Sequence, residues 1–451
     1  MVRVILKNRD TVKTLAWMLV LVFLPVLGLV LYFLFGRDTR KSKLIGKRML
    51  SQIQHGELDG KQHVPVEMLQ NHSTLATFFE NTSSARLLPA SDIEIVCDTH
   101  RFAEALLAEL KGAREHIHMQ FYIFENDDFG RAVRDILIEK ASQGVEVRLI
   151  YDSVGCWSVK KDFYEYMRCM GVYVESFLKV RFPVFTNKMN FRNHRKIVVV
   201  DGKTGFVGGC NIADRYLKGL EVGEWRDTMM IMHGTAVNGL QTSFLIDWYF
   251  ANGSLLSGKR YFPCSQVCDG PLVQIVQSNP VGEVRSVLGG YVKILSSAKS
   301  YVYMQTPYFM PNESFLQAIR NAAMSGVDVR LMIPEFSDSW VADLMSMSYL
   351  GPLLNAGVKV YLYSGGFLHS KTVVCDDDLS SVGSVNLDFR SFYYNFEVNA
   401  FVYDKGIAHK MKSVFLEDLR SCRQLTLSEY GMRPFPRRCL ESIARLFSPI
   451  L

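Results

Sequence analysis

Apolar positions follow two textures along this chain. Glu115 to Phe124 alternates as a strand, Gly130 to Ser142 spaces its apolar residues along one helical face, and Val145 to Tyr151 is a second strand. Strand and helix in this order predict an α/β domain with a mixed sheet flanked by helices. The order then returns. Tyr301 to Gln305 echoes His116 to Gln120, Ser325 to Leu331 echoes Gln143 to Leu149, and Ala356 to Val360 echoes Met170 to Val174. Such a repeat predicts two similar halves, 91–259 and 260–428, packed about a pseudo-two-fold axis.

Outside the halves the texture changes. Leu15 to Phe35 carries no charge and as one helix would span about 32 Å, so residues 1–43 are expected to form an N-terminal transmembrane anchor. Gly36-Arg37-Asp38 offers no small-x-small cleavage site, which argues against a cleaved signal peptide. Pro25 should kink the span or turn it back as a re-entrant hairpin. Cations flank it: Arg3, Lys7, Arg9 and Lys13 before, and Arg37, Arg40, Lys41, Lys43, Lys47 and Arg48 after. The excess after the span favours a cytoplasmic catalytic body. Residues 44–90 are polar and weakly periodic and read as a linker with a short helix or two. Residues 429–451 mix Arg437, Arg438 and Arg445 with Leu440, Ile443, Leu446 and Phe447, the spacing of an amphipathic interfacial helix.

At 451 residues, 48% hydrophobic and 21% charged, the chain has the composition of a globular protein with an added apolar segment, and the net charge of +6 fits an anionic partner. Nine scattered cysteines do not form a disulfide framework, and Cys264 and Cys268 have no second pair with which to build a zinc site. Lys179 to Arg192 mixes cations with Phe182, Phe185 and Phe191 and suits a loop that dips into a lipid interface, although nucleic-acid grooves read alike.

The chemistry lies in one spacing that occurs twice. His194-Arg195-Lys196 is followed by Asp201, and His369-Ser370-Lys371 by Asp376, each on a β-branched run. At identical distances from the histidines come Gly208-Gly209-Cys210-Asn211 and Gly383-Ser384-Val385-Asn386, and a further carboxylate follows each, Asp227 and Glu397. Each half offers one imidazole and one ammonium group, so a single site at the junction would hold two of each. That set suits a phosphodiester: lysines neutralise the non-bridging oxygens, one histidine attacks, and the other protonates the leaving oxygen. Asn211, Asn386 and Ser384 are candidate hydrogen-bond donors to the phosphate, and Gly209 in place of a serine makes the pocket asymmetric. Asp227 and Glu397 are placed to orient the imidazoles. Asp201 and Asp376 complete the motif, but their odd offset from lysine turns them to the opposite strand face, where they would close a turn.

These residues resemble the phospholipase D superfamily, whose signature is this doubled HKD motif. Asn193-His194-Arg195-Lys196, Trp225-Arg226-Asp227-Thr228, Gln305-Thr306-Pro307-Tyr308-Phe309 and Gly383 to Val398 are most similar to bacterial cardiolipin synthases. The resemblance implies catalysis by His194, Lys196, Asp201, His369, Lys371 and Asp376, with His194 as nucleophile. It also implies phosphatidyl transfer from one phosphatidylglycerol to another at a bacterial cell membrane, with anionic lipids and no nucleic acid as partners. No cofactor or metal is called for. A hydrolytic phospholipase D or a nuclease would share the core, and a membrane-tethered lipid-binding protein without activity is the alternative of another class.

Overall fold

The computed structural model describes residues 11–32, 64–178, 191–221, 223–263, 269–282 and 284–448. Most of the Lys179 to Arg192 stretch, the Cys264/Cys268 pair and nearly all the cations flanking the apolar segment lie outside these residues.

Two mixed sheets carry the repeat. The first runs in space Asp92–Val96, Met229–His233, Thr204–Gly208, Ile197–Val200, His116–Phe121, Glu146–Asp152, Tyr173–Phe177. The second repeats that order with Leu272–Ser278, Asn395–Tyr403, Leu379–Gly383, Thr372–Cys375, Tyr301–Gln305, Asp328–Pro334, Lys359–Tyr363, and adds Leu88–Pro89 and Cys422–Leu425 at its ends. In both, the three strands beginning at His116 or Tyr301 are parallel and the others antiparallel. Helices cover the outer faces, and the inner faces pack on each other except where helices Val237–Asn252 and Lys405–Asp418 cover the parts that remain. Along Ile197–Val200 the alternation is visible: Val198 and Val200 belong to the core of the first half, while Ile197 and Val199 belong to a core shared with Tyr303, Val374, Val382 and Val398 of the second half. Two sheets back to back with helices outside give four layers, and burial of the β-branched inner faces holds them together.

Residues 64–90, read from sequence as a linker, are folded onto the second half. Val66, Leu75, Ala76 and Phe79 are buried in its core, and Leu88–Pro89 pairs with Leu272–Ser278. The apolar N-terminal segment also departs from the expectation of one spanning helix. It breaks at Leu24 into helices Thr11–Phe23 and Pro25–Leu31. The ring of Trp17 lies 5.4 Å from that of Tyr32, far closer than a continuous helix allows, so the chain turns back on itself. Gly28 is where the two arms touch: a Cβ there would stand 2.7 Å from the Val20 carbonyl oxygen. No described helix is long and apolar enough to cross a membrane.

Asp201 and Asp376 lie where their odd offset from lysine puts them. Each follows its strand, at the end away from the motif histidine, in a left-handed conformation (φ 53° and 50°) that aspartate tolerates better than most residues. Asp201 accepts from the backbone N–H groups of Arg114, Glu115 and His116, and Asp376 from those of Lys299, Ser300 and Tyr301. They tie the motif strand to the start of its neighbour and touch no reacting group. Asp201→Ala should therefore lower unfolding free energy by about 1–3 kcal/mol. Turnover per folded molecule should stay within a few-fold of wild type, as chemical denaturation paired with active-site-normalised kinetics would show. A loss of turnover without a loss of stability would restore a catalytic role.

Candidate active site

Each motif histidine is anchored by the opposite half. Arg192–Asn193 pairs with Asn395 and Phe396, and His194 N donates to Phe396 O at 2.9 Å. Reciprocally, Gly366–Leu368 pairs with Glu224–Arg226, and His369 N donates to Arg226 O at 2.7 Å. Each histidine is thereby set beside the next side chain of the other half. His194 Nδ1 lies 3.1 Å from both oxygens of Glu397, and His369 Nδ1 lies 2.6 Å from Asp227 Oδ2. The carboxylate that follows each motif in sequence thus serves the histidine of the other motif.

Burial lowers the pKa of both imidazoles, that of His369 to about 3, with Lys371 adding to the effect and Asp227 opposing it. Burial alone would raise Asp227 and Glu397, but Lys371 and His369 around the former and His194 and Lys196 around the latter outweigh it, and both carboxyls stay ionised. A neutral imidazole against an ionised carboxylate must carry its proton on Nδ1. Lys371 Nζ also stands 2.8 Å from His369 Nδ1, but an unprotonated Nδ1 could not lie 2.6 Å from a carboxylate oxygen, so the ammonium directs its protons elsewhere. Both rings then present an Nε2 lone pair to the one cavity they line, which encloses about 690 Å³.

The lysines lie beneath the cavity wall. Lys196 Nζ donates to His194 O at 2.7 Å, and Lys371 Nζ to His369 O. Both are buried; desolvation brings Lys196 down to about 7, with Lys371 adding to it and Glu397 and Asp227 opposing. Ser384 gives its hydroxyl proton to Glu397 and accepts from Val398 N, which makes it a support for the carboxylate. Asn211 accepts from Ile123 N and donates to the Tyr216 hydroxyl. Asn386 lines the cavity with its Oδ1 buried and unbonded. Sequence reasoning passed over Arg195, whose buried guanidinium bonds Asp247 at 2.6 Å and the carbonyls of Glu397 and Ser278 across the junction. Its signal was there: a charge on the alternate face of an apolar strand needs a buried partner. Tyr122 and Trp225, whose rings lie 5.0 Å from His194 and 4.9 Å from His369, were also missed.

The family model described as "Cardiolipin synthase, PLD-like domain" matches residues 106–248 and 291–419, and a phospholipase D-nuclease N-terminal model matches 1–37. The chain belongs to this cardiolipin synthase family. It is 41% identical to the major cardiolipin synthase ClsA of Bacillus subtilis (strain 168), over 99% of this chain and 95% of that protein. It is 38% identical to a cardiolipin synthase of Listeria monocytogenes serotype 4a, over 100% of this chain and 96% of that protein. The crystal structure of phosphatidylserine synthase from Haemophilus influenzae Rd KW20 shares the fold, with a TM-score of 0.65 at 14% identity over 84% of this chain and 99% of that one.

The crossed pairing predicts crossed phenotypes. Glu397→Gln should weaken the step served by His194, and Asp227→Asn the step served by His369, each by at least about 10²-fold in kcat. Acid-quench trapping of a phosphoenzyme separates them, since only the variant that disables the nucleophile's partner lowers trapped intermediate. Loss of trapping on the same-half assignment would reject the pairing.

Both depressed groups also set a pH dependence. Lys196 gains charge as pH falls through about 7, and His369 gains its proton only far below 6.5. Anion binding and acid catalysis both strengthen in that direction, so kcat/KM should keep rising as pH is lowered from 9 to 6. A plateau or a fall across that range would contradict the assigned shifts.

Proposed function

We propose that this chain is a membrane-bound cardiolipin synthase. A histidine attacks the phosphorus of one phosphatidylglycerol through its Nε2 lone pair, a phosphorus–nitrogen bond forms, and the glycerol oxygen leaves with the Nε2 proton of the second histidine, which enters this step as an imidazolium that has taken up a proton from solvent and is held by its carboxylate. That histidine then takes the proton from the hydroxyl of a second phosphatidylglycerol, whose oxygen displaces the first imidazole and yields cardiolipin. His194 is assigned as nucleophile by resemblance and His369 as acid and base. Lys196 and Lys371 balance the phosphate charge from beneath, Asn211 and Asn386 border it, and Ser384 acts through Glu397.

The observation that carries this reading is the pair of imidazoles, each backed by a carboxylate and both lining one cavity. Lipid substrates are supported by the cavity's surroundings. Val341, Ala342 and Met345 line it from helix Trp340–Asn355, and exposed Phe336 and Trp340 stand where that helix begins. Helix Phe435–Arg445 packs on the same helix and leaves Phe435, Leu440 and Ile443 exposed beside Arg437 and Arg438. The N-terminal hairpin is assigned as a membrane insertion because its outward residues, among them Phe23, Val26 and Leu27, are apolar and exposed, and the excess of cations that follows it favours the cytoplasmic side of the bacterial cell membrane.

Purified protein in phosphatidylglycerol vesicles should form cardiolipin and glycerol in equal amounts without nucleotide, and added glycerol should slow net synthesis by reversing the first step. Phosphatidic acid as the dominant product would assign the chain to the hydrolases. Dependence on a cytidine-activated lipid would overturn the mechanism.

A further inference from the structure

The cavity is symmetric in its histidines and asymmetric in its cations. Arg215 and Arg390 stand at the same distance beyond their motif histidines, and both line it. Arg215 is ion-paired with Glu125 at 3.1 Å, among the apolar walls of Trp225 and Leu220. On the other side a second guanidinium is added: Arg192, two residues before His194, where the second half has Phe367. Arg192 is 9% exposed, donates from Nη1 to Phe191 O at 2.6 Å, and forms no ion pair among the described residues. Its strand pairs with Asn395, which the helix carrying Arg390, Phe389–Tyr393, leads into. The nearby carboxylate of Asp152 is occupied by the backbone N–H groups of Asn193, Val154 and Gly155. Burial lowers the Arg192 pKa, Asp152 opposes this and Arg390 adds to it, as expected for like charges held close in a cavity wall. Like charges that share a cavity wall are stabilised when an anion lies against them, and the forked donors of guanidinium suit phosphate oxygens.

We propose that Arg192 and Arg390 form a second phosphate subsite that holds the phosphodiester of the acceptor phosphatidylglycerol. This rests on the transfer reading above. The acceptor carries its own phosphate three carbons from the hydroxyl that attacks, so a site that makes cardiolipin must accommodate two phosphate charges in one cavity. Two histidines and two buried lysines provide for the reacting one. A neutral acceptor, glycerol or water, has no use for the second site, so the subsite selects lipid over water.

The test compares two reactions of one enzyme in phosphatidylglycerol vesicles: cardiolipin formation, and exchange of labelled glycerol into phosphatidylglycerol. Both pass through the same phosphatidyl-enzyme, but only the first has an acceptor with a phosphate. Arg192→Gln and Arg390→Gln should each lower the ratio of cardiolipin formed to glycerol exchanged by tenfold or more relative to wild type. Arg192→Lys and Arg390→Lys should recover part of that ratio. An unchanged ratio, with both reactions intact or both lost together, would overturn the subsite. Absence of both reactions in the wild type would overturn the transfer reading and the subsite with it.

Discussion

Everything in this active site depends on bringing two buried carboxylates to two buried imidazoles across a domain junction. A histidine on an apolar strand is cheap to bury neutral, but a lysine two residues later is not, and here two lysines are buried within range of each other. Asp227 and Glu397 supply the compensating charge. Since each acid reaches the histidine of the opposite half, neither half can satisfy its own charges alone. The same logic governs Arg195, which is buried only because Asp247 and two second-half carbonyls receive it. Polar burial therefore fixes the mutual position of the halves, while the β-branched inner faces supply most of the association energy.

That requirement also explains why the repeat is imperfect. In the second half Glu397 leaves room for Ser384, whose hydroxyl steadies the carboxylate. In the first half the shorter Asp227 comes up against position 209 itself: a Cβ on Gly209 would stand 2.0 Å from Asp227 Oδ1. Serine is excluded there by contact, and Thr228 N takes over as donor to that oxygen at 2.8 Å. The two imidazoles thus sit against differently supported acids, one at 2.6 Å and one sharing its proton between two oxygens at 3.1 Å.

Much of this was legible in the sequence. Alternation along Glu115 to Phe124, the β-branched runs after each motif histidine, and the repeated order of elements give the sheets and their duplication, because those signals are local and periodic. The histidines, lysines and their two acids were readable from spacing alone. Which acid meets which histidine was not, since spacing is blind to pairings made across the junction by Arg192–Asn193 with Asn395 and by Glu224–Arg226 with Gly366. Residues 64–90 were misread for a related reason: a short helix and a two-residue strand have weak patterns of their own and gain structure from the second-half core they cover. In the N-terminal segment, hydropathy marked an apolar run, but composition could not choose between the two outcomes that Pro25 allows, and the contact of Trp17 with Tyr32 selects the folded-back one.

A duplicated domain would by symmetry give two equal histidines, yet the surroundings of these two are unequal, and in the proposed transfer one bonds to phosphorus while the other carries protons. The inequality is built from small departures around a common frame, Gly209 against Ser384, aspartate against glutamate, and Arg192 against Phe367. None alters the backbone order of the sheets. Each changes the charge or hydrogen bonding within reach of a single imidazole or a single wall of the cavity, where low dielectric enlarges its effect. Duplication supplies the paired groups of the site, and a few side-chain differences at the seam make their surroundings unequal.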